Sequence, residues 1–159
     1  MTLAEAPIED VEISRTVALL GGRRILQRPV RSRLDAHDLL REGLPGRALS
    51  HLVTSVMLLR APREGSLEKA VGISLRTYQR RKEAPDRKLS TEQSGRTWKF
   101  AEILGRASEL FGSQEKAEAW LDCPAMALDR RKPIDLLSTP AGVEAVETLL
   151  GRLEYGVYT

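Results

Sequence analysis

Residues 66–83 read SLEKAVGISLRTYQRRKE, and the rest of the chain is best understood from this stretch outward. It predicts a short helix from Ser66, a tight turn at Gly72 and a second helix opening at Ser74. Glycine tolerates the positive φ of a sharp turn, and serine at a helix start accepts from an otherwise orphaned N–H. At about 100° per residue, Leu67, Val71, Ile73, Leu75 and Tyr78 supply an apolar inner side. Arg76, Thr77 and Arg80 point outward, with Gln79 and Arg81 on the flanks. Lys82 falls inward, so its stem is expected along apolar surface with the charge outside. A helix-turn-helix needs this sidedness if its second helix is to enter a DNA major groove. Arginine and glutamine can bond guanine and adenine edges bidentately, so the chemistry suits base reading.

Upstream, Pro62 and Gly65 mark a break. Leu49, Leu52, Val53, Val56 and Leu59 recur at helical spacing, with Met57 and Leu58 widening the stripe, so this segment predicts a helix buried on one side. Pro45 suits its first position, where the missing N–H costs nothing. His51, beside the stripe, reads as structural. Asp35 opens an earlier helix that carries Leu39 and Leu40 and stops at Gly43. Ser14 is expected to cap a short helix through Leu20, ended by Gly21 and Gly22, behind a loose acidic arm over residues 1–13. Between these helices lie Arg23, Arg24, Arg28, Arg31 and Arg33. They read either as a basic edge that touches phosphate or as solvated cations around a connector.

Downstream, Pro85 ends the second helix of the motif. Ser90-Thr91-Glu92-Gln93 then has the form of a capping box. It predicts a long helix to Phe111, terminated by Gly112, with a stripe of Phe100, Ile103, Leu104, Ala107, Leu110 and Phe111. Trp98 falls off that stripe, which suits either a second packing contact or a subunit interface. Ser113 caps a short helix with Ala117, Trp120 and Leu121, and Cys123 beyond it reads as a small packed residue. Met126 and Leu128 lie in a connector, and Pro133 opens a turn with Ile134, Leu136 and Leu137. Thr139-Pro140 pairs a cap with proline at the first helical position. The last helix carries Val143, Val146, Leu150 and Leu153, with Val157 just past its stop at Gly156. That spacing makes a narrow seam for another helix, within the chain or between chains.

Composition agrees with an all-α fold: 42% of the 159 residues are apolar and only 4% aromatic. One cysteine allows no intrachain disulfide and no cysteine-based zinc site. The two histidines lack obvious ligand neighbours, so neither metal nor other cofactor is expected. No Ser–His–Asp set, phosphate-cradling loop or paired carboxylates can be recognised, and the chain reads as no enzyme. Without a signal sequence or a run long enough to cross a bilayer, a cytoplasmic, reducing setting is expected. The net charge of +3 is uneven. Residues 60–99 hold 11 Lys/Arg against 5 Asp/Glu, whereas residues 100–159 hold 6 against 10. A basic middle suits phosphate, and an acidic tail suits a protein partner or an arginine-lined pocket.

From about Leu34 to Val157 the chain resembles the Xre-type antitoxins of bacterial RES–Xre toxin–antitoxin pairs, related to the MbcA and ParS antitoxins. Three stretches carry the likeness: VGISLRTYQRRK, KLSTEQSGRTWKFAEILGRASELFGSQEKAEAWL, and RRKPIDLLSTPAGVEAVETLLGRLEYGV. The second and third are the more specific, because helix-turn-helix motifs recur in many regulators. One position departs: Glu68 stands where many such motifs keep a small residue against the second helix. The resemblance implies an all-helical homodimer, with a Cro/repressor-like helix-turn-helix domain followed by a small helical toxin-binding domain. It implies an arm over residues 1–33, a DNA-binding region over 34–88, and a dimerisation and toxin-binding region over 89–159. It places contact with double-stranded operator DNA on Arg76, Thr77, Gln79, Arg80 and Arg81. Contact with an NAD-consuming RES-domain toxin, whose active site would be obstructed, falls on Arg152, Tyr155, Tyr158 and Thr159. The alternative is a stand-alone transcriptional regulator whose C-terminal region dimerises or senses a ligand.

Overall fold

The computed structural model describes residues 10–60 and 65–156. The chain runs through α1 (Val11–Leu19), α2 (Gly22–Leu26), α3 (Arg33–Glu42), α4 (Gly46–Ser55), α5 (Ser66–Val71), α6 (Leu75–Arg81), α7 (Thr91–Phe111), α8 (Gln114–Leu121) and α9 (Pro140–Glu154). Short 3-10 turns occupy Met57–Arg60, Met126–Leu128 and Pro133–Leu136. Among the described residues there is no strand, only two isolated backbone bridges, Pro45 to Lys88 and Ala125 to Arg131. No helix among them is long and apolar enough to cross a membrane.

The capping box forms as the sequence predicts. Ser90 Oγ accepts from the Gln93 N–H at 3.0 Å, and Gln93 Oε1 accepts from the Ser90 N–H at 3.2 Å. The helix it starts, α7, is the spine of the molecule and packs against α1, α3, α5, α8 and α9. Being covered on several sides, it is apolar over more than one stripe. Phe100, Ile103, Leu104 and Ala107 are buried, and so are Trp98 and Ala101 off that stripe. The Trp98 Nε1–H donates to Glu102 at 3.1 Å, so the tryptophan makes a packing contact within the chain. Glu102, also buried, takes a second bond from Lys99 at 3.0 Å. Phe111 and Trp120 meet at 5.4 Å between centroids and fasten α8 to the end of α7.

The seam of α9 finds its partner in α7 of the same chain. Val146, Leu149 and Leu150 are buried there, with Val143 and Leu153 half-buried. Arg106 on α7 clamps the far end, bonding Glu154 at 2.6 and 3.2 Å and the Glu147 carbonyl at 3.4 Å. At the near end Thr139 Oγ1 accepts from the Gly142 N–H at 3.0 Å, and Pro140 is the first helical residue, as expected. Val157 lies outside the described residues.

Several expectations change. α1 starts at Val11 rather than after Ser14, because Asp10 Oδ1 accepts from the N–H groups of Glu12 and Ile13 at 3.1 and 3.2 Å. Residues 10–13 are thus cap and helix, while the rest of the acidic arm lies outside the described residues. Pro45 is the cap of α4, one position earlier than expected. The apolar run 49–59 is divided: α4 ends at Ser55 and a 3-10 turn carries Leu59, though Leu49, Leu52, Val53, Val56 and Leu59 are all buried as expected. Cys123 is exposed rather than packed. Ala117 and Leu121 take the buried side of α8, and the chain has left that helix before residue 123. Glu68 is exposed too, and Ser66 and Ala70 are the small buried residues on α5. Pro62 lies outside the described residues.

Candidate nucleic-acid interface

The motif over 66–82 folds as read, with one change. Leu67, Ala70, Val71, Ile73 and Tyr78 are buried, but Leu75, at 38% exposed, stands at the start of α6 instead of in the core. Gly72 sits at φ +74° between the two helices. That left-handed conformation favours glycine, and a β-carbon there would also lie 2.2 Å from Arg96 Nη1, so that a side chain would displace the arginine head. Ser74 caps α6: its hydroxyl accepts from the Thr77 N–H at 3.1 Å and donates to Thr77 Oγ1 at 3.0 Å. Lys82 lays its ammonium 5.0 Å from the Tyr78 ring centroid, which keeps the stem on apolar surface.

The outward side of α6 is narrower than the sequence suggested. Arg76, Gln79 and Arg80 are exposed and share one face, being three and four residues apart. Among the described residues neither arginine has a carboxylate within ion-pairing distance. Thr77 is half-buried, and its hydroxyl is engaged by the cap. Arg81 is also half-buried and donates to Gln93 Oε1 at 3.0 Å and to the Lys88 carbonyl at 3.5 Å. Its guanidinium therefore ties α6 to the capping box of α7. Of the five residues named for DNA, Arg76, Gln79 and Arg80 are exposed, while Thr77 and Arg81 are half-buried and engaged within the chain.

Behind the motif, α5 is braced against the segment leading into α9. Lys69 pairs with Asp135 at 2.9 Å. Arg96 on α7 donates from Nη2 to the Lys69 carbonyl at 2.9 Å and to the Leu137 carbonyl at 3.5 Å. Burial pushes the Arg96 guanidinium down from its ordinary value, and its Nε has no hydrogen-bond partner. No local signal announces this brace, because its partners stand 27 and 41 residues from Arg96. The brace borders a cavity of about 510 Å³ between α7 and α9, walled by Phe100, Leu137 and Val143 and rimmed by Glu92, Lys99 and Glu147.

At the other end of α9, Arg152 is exposed, and Tyr155, the residue that ends the helix, is 84% exposed. Arg152 borders a shallow hollow between α9 and the Met126–Leu128 turn, lined by Ala127, Leu128, Ala141, Ala145 and Thr148. Tyr158 and Thr159 lie outside the described residues. Large aromatic side chains presented to solvent on a rigid helix end are the kind that anchor protein interfaces.

Two family models match the chain. One, described as the antitoxin Xre-like helix-turn-helix domain, covers residues 35–102. The other, the antitoxin Xre/MbcA/ParS C-terminal toxin-binding domain, covers residues 106–156. They meet inside α7, so the spine serves both parts. Among curated proteins, Antitoxin Xre of Yersinia enterocolitica is 33% identical over 109 residues, 68% of this chain and 73% of that protein. Antitoxin Xre of Photorhabdus laumondii is 30% identical over 120 residues, 75% of this chain and 78% of that protein. A protein of a Sphingobium strain named Prs ADP-ribosylating antitoxin is 31% identical over 87 residues, 49% of this chain and 55% of that protein.

Proposed function

The chain belongs to the Xre antitoxin family of toxin–antitoxin systems, and on that premise we propose that its toxin is a RES-domain enzyme that consumes NAD. The antitoxin binds it through the C-terminal region, and the end of α9 with the tail beyond it obstructs the toxin's active site. As a homodimer it also represses its own operon through α6. The observation that carries the toxin-facing half is the match of residues 106–156 to a toxin-binding domain, whose last helix ends in exposed Arg152 and Tyr155. ADP-ribosylation draws its ADP-ribose from NAD, so the name of the Sphingobium relative fits NAD-directed chemistry.

For DNA, Arg76, Gln79 and Arg80 read base edges. Thr77 and Arg81 hold the recognition helix in position. Two-fold sites are the usual solution for a motif this small, and a dimer supplies them. The division into an N-terminal arm, a DNA-binding region over 34–88 and a dimerisation and toxin-binding region over 89–159 follows from this reading, with α7 as the shared spine.

The test is truncation. Removing residues from Tyr155 onward spares all of α9 and the Arg106–Glu154 clamp, so the fold is expected to survive by circular dichroism and thermal melting. Co-expressed with the toxin, the truncated protein is expected neither to rescue growth nor to prevent NAD depletion. Full rescue by a folded truncate would refute the assignment of the tail.

A further inference from the structure

Two sets of cations among the described residues contrast with one another. Those on α7 that face α9 are neutralised: Lys99 pairs with Glu102 and Glu147, and Arg106 with Glu154. Four others, Arg23 and Arg24 on α2 and Arg87 and Lys88 on the connector after α6, are exposed. Among the described residues none of the four has a carboxylate within ion-pairing distance.

These two elements are some sixty residues apart in the chain but meet in space. Gln27 and Arg28, at the end of α2, line the same cleft of about 170 Å³ as Pro45 and Lys88. The connector is held on both sides. Arg87 O accepts from the Gly46 N–H at 3.0 Å, and the Leu89 N–H donates to Leu44 O at 2.8 Å. Lys88 O takes a bond from Arg81, on the recognition helix itself. α2 is fixed as well: Leu26 is buried in the core, and Gln27, left-handed at φ +60°, closes the helix by donating to Arg23 O at 2.7 Å. The four cations therefore stand on two ordered elements, the connector after α6 and α2, whose adjoining ends border one cleft and which together make up a rim.

We propose that this rim is a second DNA contact, which grips the phosphate backbone beside the groove that α6 enters. The inference rests on the reading of α6 as the recognition helix. Duplex DNA carries a charge about every 1.7 Å along its axis, so a row of unpaired cations on rigid elements finds partners there whatever the sequence. Contacts of this kind set register and orientation rather than base choice. Of the nearby acids, Glu42 and Asp86 are paired with Arg28 and Arg47. Glu83, exposed on the same connector, forms no ion pair among the described residues and leaves that segment net positive through Lys82, Arg87 and Lys88. Arg23 and Arg24 precede residue 35, where the helix-turn-helix match begins, so this extension belongs to the part of the chain neither family model covers.

The test uses full-length protein with an operator duplex and a scrambled duplex of equal length, titrated by fluorescence anisotropy over a series of KCl concentrations. The variants are the pairs Arg23→Gln/Arg24→Gln and Arg87→Gln/Lys88→Gln, and all four together. Every phosphate left without its cation is expected to reduce the slope of log affinity against log salt by about 0.9, so each pair removes roughly 2 and the four together roughly twice that. The reduction is expected to be equal on both duplexes, with melting temperature and toxin affinity unchanged. A quadruple variant that keeps the wild-type slope overturns the rim while leaving α6 as reader. Weakened toxin affinity with an unchanged slope overturns it in favour of an acidic protein partner. If the wild-type protein binds neither duplex, the reading of α6 fails and takes the rim with it.

Discussion

Gly142 offers a test in which local propensity and tertiary packing predict opposite signs. It is the third residue of α9, and alanine in its place would, on helix propensity alone, stabilise the helix by about 0.5–1 kcal/mol. The structure forbids the gain. A β-carbon at Gly142 would sit 1.9 Å from the Leu136 carbonyl oxygen, 2.9 Å from its carbon and 3.2 Å from the Leu136 α-carbon. These are backbone atoms at the end of a 3-10 turn, and no side chain can swing aside. Restoring van der Waals separation moves the start of α9 by more than about 1 Å, a crowding that costs on the order of 1–3 kcal/mol. It also strains the Thr139 cap, a bond worth about 1 kcal/mol. Gly142→Ala is therefore expected to destabilise by about 2 kcal/mol net of propensity, a fall of roughly 4–8 °C in melting temperature for a chain of this length. Gly95→Ala is the matched control, because nothing lies within 4 Å of a β-carbon there. It is expected to gain about 0.5–1 kcal/mol. Thermal and urea unfolding by circular dichroism measure both. If Gly142→Ala melts as high as wild type or higher, the close approach of Leu136 to α9 is refuted.

The arginines of α6 divide in the same testable way. Arg76→Ala or Arg80→Ala is expected to weaken operator binding at fixed salt by about 1–3 kcal/mol with little change in stability. Arg81→Ala is expected to act first on stability, by about 1 kcal/mol, since it removes the bonds to Gln93 and Lys88; an effect of Arg81→Ala on binding alone would reverse that assignment. Asp86 supplies a pH signature. The hydrogen bond from Arg47, and then its charge, hold this carboxylate below its ordinary value near 3.8. A depressed carboxylate contributes stability above its unfolded pKa and loses it as the pH falls through the folded one. Asp86→Asn is thus expected to lower the melting temperature slightly at neutral pH, with the gap to wild type closing below about pH 4. A gap that persists on acidification would show that this pair does not act through charge.

Much of the fold was legible because its signals are local. The Ser90–Gln93 capping box, the Thr139-Pro140 start, and the Gly72 and Ser74 pair each need only residues within a turn of one another, and all three formed as read. The misreadings have a shared origin. Asp10 displaced Ser14 as a cap, and Cys123 turned out to be exposed, because these outcomes depend on which of several locally acceptable arrangements buries the neighbouring apolar residues. Trp98 was ambiguous for a related reason. Its position off the main stripe of α7 becomes intelligible only once that helix is seen to be covered on several sides.

The site divides along the same line. That α6 is a capped helix with a cationic outer face can be read from consecutive residues, since periodicity and charge need nothing beyond them. Which of those cations remain free depends on how the chain packs. Arg81 is drawn inward by Gln93, Arg96 bridges the Lys69 and Leu137 carbonyls, and α2 comes to rest beside Lys88. Each of these contacts joins residues brought together by tertiary packing, and pairing of that kind leaves no trace in the local order of the chain.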